Sequence, residues 1–352
     1  MIKNLKLENF RNHKKYLLSI DKTTVLIGKN GVGKTNILES ITLISYGKSF
    51  REDDRKNLIM TGEDWARVTL DEYEIFLQRR PRLLTKIKSR GVPKRLSETV
   101  GQLPSVVFSP ETMNIINGEP KQRRRFLDIA ISQVDRKYLK NLSAYTKVRR
   151  QRNKLLERIN GGLAGEDELN YWDEQLSGYG EEIIVKRVES VASLNSNILD
   201  YYRTISGNKR DELRVDYFTK TGESLISKLR SHRYSDIASK NTNFGPHRDD
   251  LIFKLNNLDM AHYASRGETR SAVLALKVAE LNYLESERKK LPEVYNQEAS
   301  PLLLLDDVYS EFDASRRTHL ADLISKHQTV ITTTDIEHLS EKLTKSAKII
   351  EI

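Results

Sequence analysis

The chain has 352 residues, of which 38% are hydrophobic and 31% are charged, so we expect a packed core beneath a very polar surface. It contains no cysteine, which excludes disulfides, thiolate nucleophiles and cysteine-bound zinc and indicates a reducing compartment. Its histidines are scattered without metal-ligand spacing, and its charged N-terminus and short apolar runs match neither a signal peptide nor a membrane span. We therefore expect a soluble cytoplasmic protein.

The net charge of +10 is concentrated in two segments. Residues 121–160 hold 13 Lys or Arg and three Asp or Glu, and residues 79–95 hold eight basic residues and no acidic one. A concentrated basic face favours nucleic acid or another polyanion, and a solvated helix surface is the alternative for a basic run taken alone. The candidate DNA contacts are Arg123, Arg124, Arg149, Arg150, Arg152 and Lys154.

The N-terminal part of the chain has the pattern of β-strands. Leu5 and Leu7 alternate with polar neighbours, and residues 25–27 (Val-Leu-Ile) are typical of a buried strand. Helical composition follows from Asn36. Residues 65–100 predict further short strands.

The segment between that strand and that helix matches a phosphate-binding loop, G-x4-G-K-T, in the expected strand–loop–helix context. Glycines let backbone N–H groups turn towards phosphates. We expect Lys34 to reach the β- and γ-phosphates, with a catalytic role, and the Thr35 hydroxyl group to bind Mg²⁺. The predicted ATP-binding residues are Gly28, Lys29, Asn30, Gly31, Val32, Gly33, Lys34, Thr35 and Asn36.

From about residue 121 the apolar residues recur at helical spacing. This pattern runs to about Ile159, is interrupted by the glycine-rich residues 161–165, and resumes from Trp172 to Tyr201. Two long helices joined by such a turn predict an antiparallel hairpin.

The C-terminal third again has a pattern of alternating helices and strands. The pattern predicts a helix over residues 269–289, a strand at 302–305, a helix near 314–326 and strands at 329–333 and 347–352. We therefore predict one discontinuous α/β head and a helical arm inserted into it. The head would comprise residues 1–115 and 245–352, and the arm residues 116–244.

A P-loop needs an acidic partner at the end of a neighbouring strand to complete Mg²⁺ coordination. Four leucines, residues 302–305, are followed directly by Asp306 and Asp307. We predict that Asp306 binds Mg²⁺ through water and that Asp307 orients or deprotonates the attacking water. The alternative is a capping Asp after a buried strand.

Ser265-Arg266-Gly267-Glu268 stands just before the helix predicted at 269–289. Ser265 and its backbone amides would face outward at the positive end of that helix. A serine at a helix start is usually only a cap. Ser265 also stands 41 residues before Asp306, and this position favours a functional role in addition to capping.

Together these motifs resemble the ABC-type ATPase heads of chromosome and repair proteins. The resemblance implies that the signature loop Ser265–Glu268 of one subunit closes over the nucleotide held by the P-loop of another, so that Ser265 acts in catalysis. It also implies a D-loop at Asp313 and a switch segment at residues 329–335.

Within this class the chain resembles the RecF family of bacterial recombination and replication-repair proteins. The stretches that carry this resemblance run from end to end, at residues 9–13, 47–51, 108–111, 123–128, 151–156 and 245–250. The resemblance implies a weak, DNA-stimulated ATPase that dimerises on ATP and binds DNA at single-strand/double-strand gap junctions. It also implies cooperation with RecO and RecR.

One residue departs from the family pattern. Glu268 stands where such signature loops usually carry glutamine. A carboxylate close to a partner's γ-phosphate is repulsive unless a cation intervenes, which bears on the strength of ATP-driven closure. The glutamine that senses the γ-phosphate stays open between Gln78 and Gln102.

Other interpretations have specific counterarguments. Residues 208–211 (Asn-Lys-Arg-Asp) fit a guanine-specifying motif, but they precede Asp306 and follow no apolar strand, so we interpret them as a polar turn. A transporter ATPase would place its signature loop nearer the paired acids. An SMC-like chromosome-organising ATPase needs a longer coiled coil than an insertion of about 80 residues allows. An ATP-gated clamp without significant turnover also stays open, and turnover measured with and without DNA would separate it from an active ATPase.

Overall fold

The computed structural model describes residues 1–222, 224–291 and 300–352. These residues form two compact units. The first unit comprises Met1–Asn114, Asp200–Lys209 and Ser265–Ile352, and the second comprises Ile115–Leu199 and Arg210–Ala264. The structure assigns residues 245–264 to the second unit, whereas the predicted head included them, and residues 200–209 to the first unit, whereas the predicted arm included them. The division into head and arm stays a prediction.

The strands of the first unit form two sheets, and those of the second unit form one. In chain order they are β1 (Asn4–Phe10), β2 (His13–Ser19), β3 (Thr23–Ile27), β4 (Trp65–Leu70), β5 (Tyr73–Gln78), β6 (Leu84–Ser89), β7 (Val92–Lys94), β8 (Ser105–Phe108), β9 (Leu213–Phe218), β10 (Asp250–Leu255), β11 (Leu258–Asp259), β12 (Leu302–Asp306), β13 (Thr329–Thr333) and β14 (Lys348–Glu351).

The α-helices range from single turns to one of 38 residues. In chain order they are α1 (Lys34–Tyr46), α2 (Leu96–Thr99), α3 (Pro110–Met113), α4 (Pro120–Ser132), α5 (Arg136–Asn160), α6 (Leu169–Ser206), α7 (Leu225–Ser231), α8 (Arg233–Ser239), α9 (Met260–Tyr263), α10 (Arg266–Arg288), α11 (Ala314–Lys326) and α12 (Glu341–Ser346).

A five-stranded parallel sheet with the order β14-β3-β13-β12-β8 organises the first unit. Its central strands are buried on both faces, which explains why residues 302–305 are four consecutive leucines. Because the strands are parallel, the carboxyl ends of β3, β13 and β12 lie at one edge. The P-loop and the paired acids follow two of these ends.

The second sheet of the first unit is antiparallel, with the order β2-β1-β4-β5-β6-β7. Helix α1 contacts strands of both sheets, and nearly all of its residues are buried. Ile37 and Leu38 of α1 belong to the same hydrophobic cluster as Leu7 of β1 and Leu304 of β12. The P-loop helix is therefore fixed in the core of this unit.

The second unit joins helices to a small antiparallel sheet of β9, β10 and β11. Helices α5 and α6 run antiparallel, because Asn141 bonds to Glu182 at 2.5 Å while Arg152 pairs with Asp173 at 2.7 Å. These contacts support the predicted hairpin. Among the described residues, no helix is long and apolar enough to cross a membrane.

The helical pattern predicted from residue 121 to 159 is two helices in the structure, not one. Helix α4 ends at Ser132 and α5 begins at Arg136. Asp135 has extended backbone angles, and its side chain accepts a bond of 2.8 Å from the N–H of Tyr138, so it caps α5. The apolar spacing continued across this break and concealed it.

Candidate nucleotide site and signature loop

The loop between β3 and α1 has the geometry that the P-loop motif predicts. It begins at Gly28, directly after β3, and α1 begins at Lys34. Gly31 and Gly33 have φ angles of 86° and 109°, which L side chains rarely adopt. A Cβ atom on Gly33 would also lie 2.5 Å from the side chain of Asn12. Both the turn and the packing therefore require glycine here.

Lys34 is buried beneath this loop. Its Nζ donates hydrogen bonds to the carbonyl oxygens of Gly28 at 2.5 Å and Lys29 at 3.0 Å. The ammonium group is thereby held inside the curve of the loop, where the motif predicts contact with phosphates. The other residues of the predicted ATP set that follow Lys29 lie on the loop or in the first turn of α1: Asn30, Gly31, Val32, Gly33, Thr35 and Asn36.

The buried carboxylate of Asp306 lies at the carboxyl end of β12. Its Oδ1 accepts hydrogen bonds of 2.8 Å from the hydroxyl groups of both Thr35 and Thr332. Since β13 carries Thr332 and lies between β3 and β12, these bonds join the P-loop helix to two strand ends. Burial raises the pKa of Asp306, and the bonds from Thr332 and Thr35 offset part of that rise.

Asp307 follows at a sharp turn. Its φ of 51° lies in the left-handed region, and its N–H donates at 3.1 Å to both the carbonyl and hydroxyl oxygens of Thr332. The chain then enters a 3₁₀ turn at Val308–Glu311. The structure places Asp307 beside Asp306; its action on water stays a prediction.

Residues 11–13, which the site motifs did not predict, contact the P-loop and helix α1. The side chains of Asn12 and His13 donate hydrogen bonds of 2.9 and 3.1 Å to P-loop carbonyl groups. Arg11 forms a two-pronged ion pair, at 2.7 and 2.8 Å, with the buried Glu39 of α1. The available signal was the family-like stretch at residues 9–13, which carried no assigned role.

The structure does not bring Gln102 to this site. Gln102 precedes β8 and so lies at the amino edge of the parallel sheet, opposite the P-loop, while Gln78 donates at 2.6 Å to the carbonyl of Arg80. Glu111, which follows the carboxyl end of β8, raises the pKa of Asp306 by its charge. An acidic residue therefore lies near Asp306, at the carboxyl end of β8.

The predicted signature loop forms a capping box at the start of α10. Ser265 is the N-cap residue, and its Oγ accepts a bond of 3.3 Å from the N–H of Glu268. The Glu268 carboxylate in turn accepts a bond of 2.7 Å from the N–H of Ser265. The carboxylate is therefore folded back onto its own helix terminus, while Ser265 and Arg266 are exposed.

The predicted D-loop is tied to the signature loop within the same chain. Asp313 caps α11 and pairs with the Arg316 guanidinium. That guanidinium also donates at 3.0 Å to the carbonyl oxygen of Gly267. A second link is the ion pair of 2.6 Å between Arg270 of α10 and Glu311. The two loops are thus fixed relative to each other.

Two of the six predicted DNA contacts are buried in ion pairs, which corrects that part of the prediction. Arg123 makes a two-pronged pair with Asp250 at 2.8 Å. Arg152 is fully buried and lies 2.7 Å from each of Asp173 and Asp236. Buried charges need these partners, so neither side chain is available to DNA. The candidates that stay predictions are the half-buried Arg124 and Arg149 and the exposed Arg150 and Lys154.

The sheet order, the P-loop, the buried acid and the capped signature helix together define an ABC-type P-loop ATPase head. A family model described as the RecF/RecN/SMC N terminal domain matches residues 1–351. A solved SMC head bound to the C-winged helix domain of ScpA superposes with a TM-score of 0.51 at 17% identity, covering 95% of this chain and 90% of that one. The predicted fold class is confirmed.

Full-length relatives narrow this class. The chain is 38% identical over 346 residues to the DNA replication and repair protein RecF of Agathobacter rectalis, covering 96% of this chain and 93% of that protein. It is 36% identical over 370 residues to the protein of the same name from Clostridium tetani, covering 100% and 97%. A solved structure of the recombination mediator protein RecF-ATPrS in the RecFOR pathway matches with a TM-score of 0.86 at 31% identity, covering 100% of this chain and 96% of that one. The chain belongs to the RecF family.

Proposed function

We propose that the chain is an ATP-dependent DNA-binding protein of recombinational repair and replication restart. ATP with Mg²⁺ binds at the P-loop, two copies join through their heads, and the pair holds DNA at gap junctions while ATP is hydrolysed slowly. The observation that carries the proposal is the convergence of Thr35 and Thr332 on the buried Asp306, beside the Lys34 loop. Membership of the RecF family over the whole chain supports the repair role.

The residues at this edge suit an ATP–Mg²⁺ complex. Mg²⁺ is typically held by one or two carboxylates together with hydroxyl, water and phosphate oxygens. Asp306 and Thr35 offer such oxygens, and a divalent cation would offset the burial that raises the pKa of Asp306. When bound, the ion neutralises charge on the phosphates. Lys34 binds the phosphates, and Asp307 holds the attacking water.

The exposure of the signature loop supports dimerisation on ATP. Ser265 and the first amides of α10 lie at a positive helix end that favours an anion. We propose that this end closes on the γ-phosphate held by a partner copy. The capping bond of Glu268 to Ser265 directs the carboxylate towards its own helix and so limits its repulsion of that phosphate.

DNA contact is assigned to basic side chains of the second unit, among them Arg124, Arg149, Arg150 and Lys154. Contacts of this type address the phosphate backbone, so binding would be largely independent of sequence and strongly dependent on salt. RecO and RecR are proposed partners, because a structurally similar relative is described within the RecFOR pathway. DNA stimulation of turnover belongs to the same proposal.

Analytical sedimentation tests the proposal. The chain is sedimented with ATP and Mg²⁺, with ADP and Mg²⁺, and with neither, each with and without gapped DNA. We expect a dimer only in the presence of ATP and Mg²⁺. DNA should co-sediment with that dimer. A monomer under all three conditions would contradict the dimerisation step, and DNA binding that ignores nucleotide would contradict the coupling.

Measurement of phosphate release completes this test. Slow turnover that gapped DNA accelerates is the expected result. ATP-dependent DNA binding without measurable turnover would favour a clamp that uses ATP only as a ligand. Lys34→Met serves as the control, since it removes the charge that holds the phosphates and should abolish both ATP binding and turnover.

A further inference from the structure

The second unit contains an open cleft of about 780 Å³ whose lining is rich in cations. Three segments form it: the start of α4, the loop after β9 and the loop before β10. Its charged and aromatic lining residues are Glu119, Lys121, Arg124, Lys220, Phe244 and Arg248.

The charges of this lining do not balance. Four cations face one carboxylate, and like charges held close together repel. Lys121 and Arg124 also lie at the start of α4, where the positive end of the helix adds to the repulsion. Burial, and after it the charge of Arg187, lower the pKa of Arg124. The charges of Asp250, Asp128 and Asp249 offset part of this decrease in pKa, and an anion in the cleft would offset more of it.

The wall that carries Phe244 and Arg248 is fixed by a neutral histidine. His247 Nε2 donates to the carbonyl of Thr242 at 2.9 Å, and His247 Nδ1 accepts from the hydroxyl of Tyr145 at 2.7 Å. Burial, and after it the charge of Arg149, lower the pKa of His247 to about 3, so the ring stays neutral near pH 7.

The start of α4 is tied to the same segment. Arg124 Nη1 donates to the carbonyl of Asp249 at 2.7 Å, and the neighbouring Arg123 pairs with Asp250. The Phe244 ring packs against His232, with ring centroids 4.3 Å apart, and forms an apolar part of the lining. The Arg124 side chain and the backbone that carries Arg248 are therefore held in place before any ligand arrives, which reduces the entropy cost of binding.

We propose that this cleft binds the phosphodiester backbone of DNA. Lys121, Arg124, Lys220 and Arg248 would contact phosphate oxygens of the strand. The lining favours DNA over a single small anion because its cations are distributed around a cleft that extends well beyond one phosphate group. The inference rests on the proposed DNA-binding function and adds a site that lies outside the basic helix α5.

Lys220 and Arg248 suit the test because both are exposed and substitution should leave the fold intact. The full chain with ATP and Mg²⁺ is titrated onto fluorescein-labelled gapped DNA across a range of salt concentrations, and anisotropy reports binding. The double variant Lys220→Glu/Arg248→Glu is compared with Lys14→Glu/Lys22→Glu, which changes the charge equally at exposed positions outside the cleft and outside residues 121–160. Binding of a fluorescent ATP analogue and thermal melting are measured for all proteins.

We expect the cleft variant to bind DNA at least about 30-fold more weakly and to lower the slope of log K against log salt by about 2, one unit for each lost phosphate contact. The control variant should lose less than about threefold, with its slope retained. Equal losses in both variants would assign the effect to general charge and overturn the site.

A further titration distinguishes DNA from an acidic protein as the ligand of the cleft. Fluorescein-labelled poly-glutamate replaces DNA, and the expected result is weak binding that the cleft variant does not change. Loss of poly-glutamate binding with unchanged DNA binding would overturn the inference. If the unsubstituted chain fails to bind gapped DNA with ATP, the proposed function itself fails and the inference falls with it.

Discussion

Asp306 combines three constraints at the residue scale. The four leucines before it predict a buried strand, and the P-loop elsewhere in the chain predicts an acid at that strand's end. Its bonds to Thr35 and Thr332 come from residues 271 and 26 positions away, which local patterns do not reveal. The position of this acid at the strand end was therefore predictable, and its hydroxyl partners were not.

Asp306→Asn should separate folding from Mg²⁺ binding. The amide oxygen can accept the same two hydroxyl bonds, and the variant has no carboxylate charge for burial to disfavour. We expect thermal stability without nucleotide to be unchanged or higher. Addition of ATP and Mg²⁺ should raise the melting temperature of the unsubstituted chain but not that of the variant. The exposed Asp322→Asn is the control, and nucleotide stabilisation retained by Asp306→Asn would contradict the assignment.

The capping bond of Glu268 changes the effect that is expected of a glutamate at this position. By sequence it is an unfavourable charge near a partner's phosphate. In the structure its carboxylate caps α10 by accepting from the N–H of Ser265 at 2.7 Å. Glutamine can make the same capping bond, since capping boxes accept either residue.

Glu268→Gln should therefore keep the helix and strengthen the dimer. We expect the free energy of unfolding to change by less than about 1 kcal/mol, because the variant loses only the interaction of a charge with the helix terminus. ATP-dependent dimer affinity, measured by sedimentation, should rise several-fold as the residual repulsion disappears. A weaker dimer would show that the carboxylate contributes a favourable contact, through a bound cation, that the capping geometry does not reveal.

At the scale of elements, periodicity identified the long helices and four of the five strands of the parallel sheet, whereas it predicted none of the elements between residues 207 and 264. The break between α4 and α5 depends on a single capping bond from Asp135, and the apolar spacing runs through it. Arg152 looked like its exposed neighbours on α5 because its partners, Asp173 and Asp236, lie in other helices. Sequence spacing reports helix faces well, but it does not report which polar residue another element will bury.

The link between α10 and α11 is a further long-range feature. Arg316 donates to the Gly267 carbonyl at 3.0 Å and to the Ser271 hydroxyl at 3.0 Å, and it pairs with Asp313. If both loops act on a partner copy, a rigid connection between them would let one nucleotide position both. Arg316 would then be a positioning residue for dimerisation.

Arg316→Gln should weaken ATP-dependent dimerisation by about tenfold, or ~1.4 kcal/mol, while nucleotide affinity stays unchanged. Nucleotide affinity is expected to stay because the P-loop contacts of Lys34 do not involve α11. Arg317→Gln is the matched control, since Arg317 donates to the carbonyl of Tyr309 rather than to the signature loop. Equal dimer affinities for the two variants, measured by sedimentation at several concentrations, would show that the link is only structural.

At the scale of the whole molecule, both loops that the proposed reaction needs belong to the first unit. The first unit carries the P-loop with Asp306 and also the exposed Ser265, at the carboxyl edge of a sheet and at a helix N-terminus respectively. A two-fold symmetric pair can bring each loop to the other copy's nucleotide, which is the usual logic of an isologous dimer. The motifs predict that each nucleotide site combines the P-loop of one copy with the signature loop of the other. An experiment on two different copies in one dimer can test this prediction.

Mixing two inactive variants provides that test. Lys34→Met disables its own P-loop but leaves Ser265 intact, whereas Ser265→Arg blocks the signature loop and leaves Lys34 intact. A mixed dimer therefore contains one site with both functional halves and one with neither. Each mixed dimer has one working site of two, so an equal mixture should recover phosphate release in proportion to its mixed dimers, at roughly half the unsubstituted rate per dimer. Each variant alone should show almost none. If the mixture is as inactive as its components although sedimentation shows mixed dimers, the two loops do not act across the interface; if Ser265→Arg alone retains turnover, its loop is not needed at all.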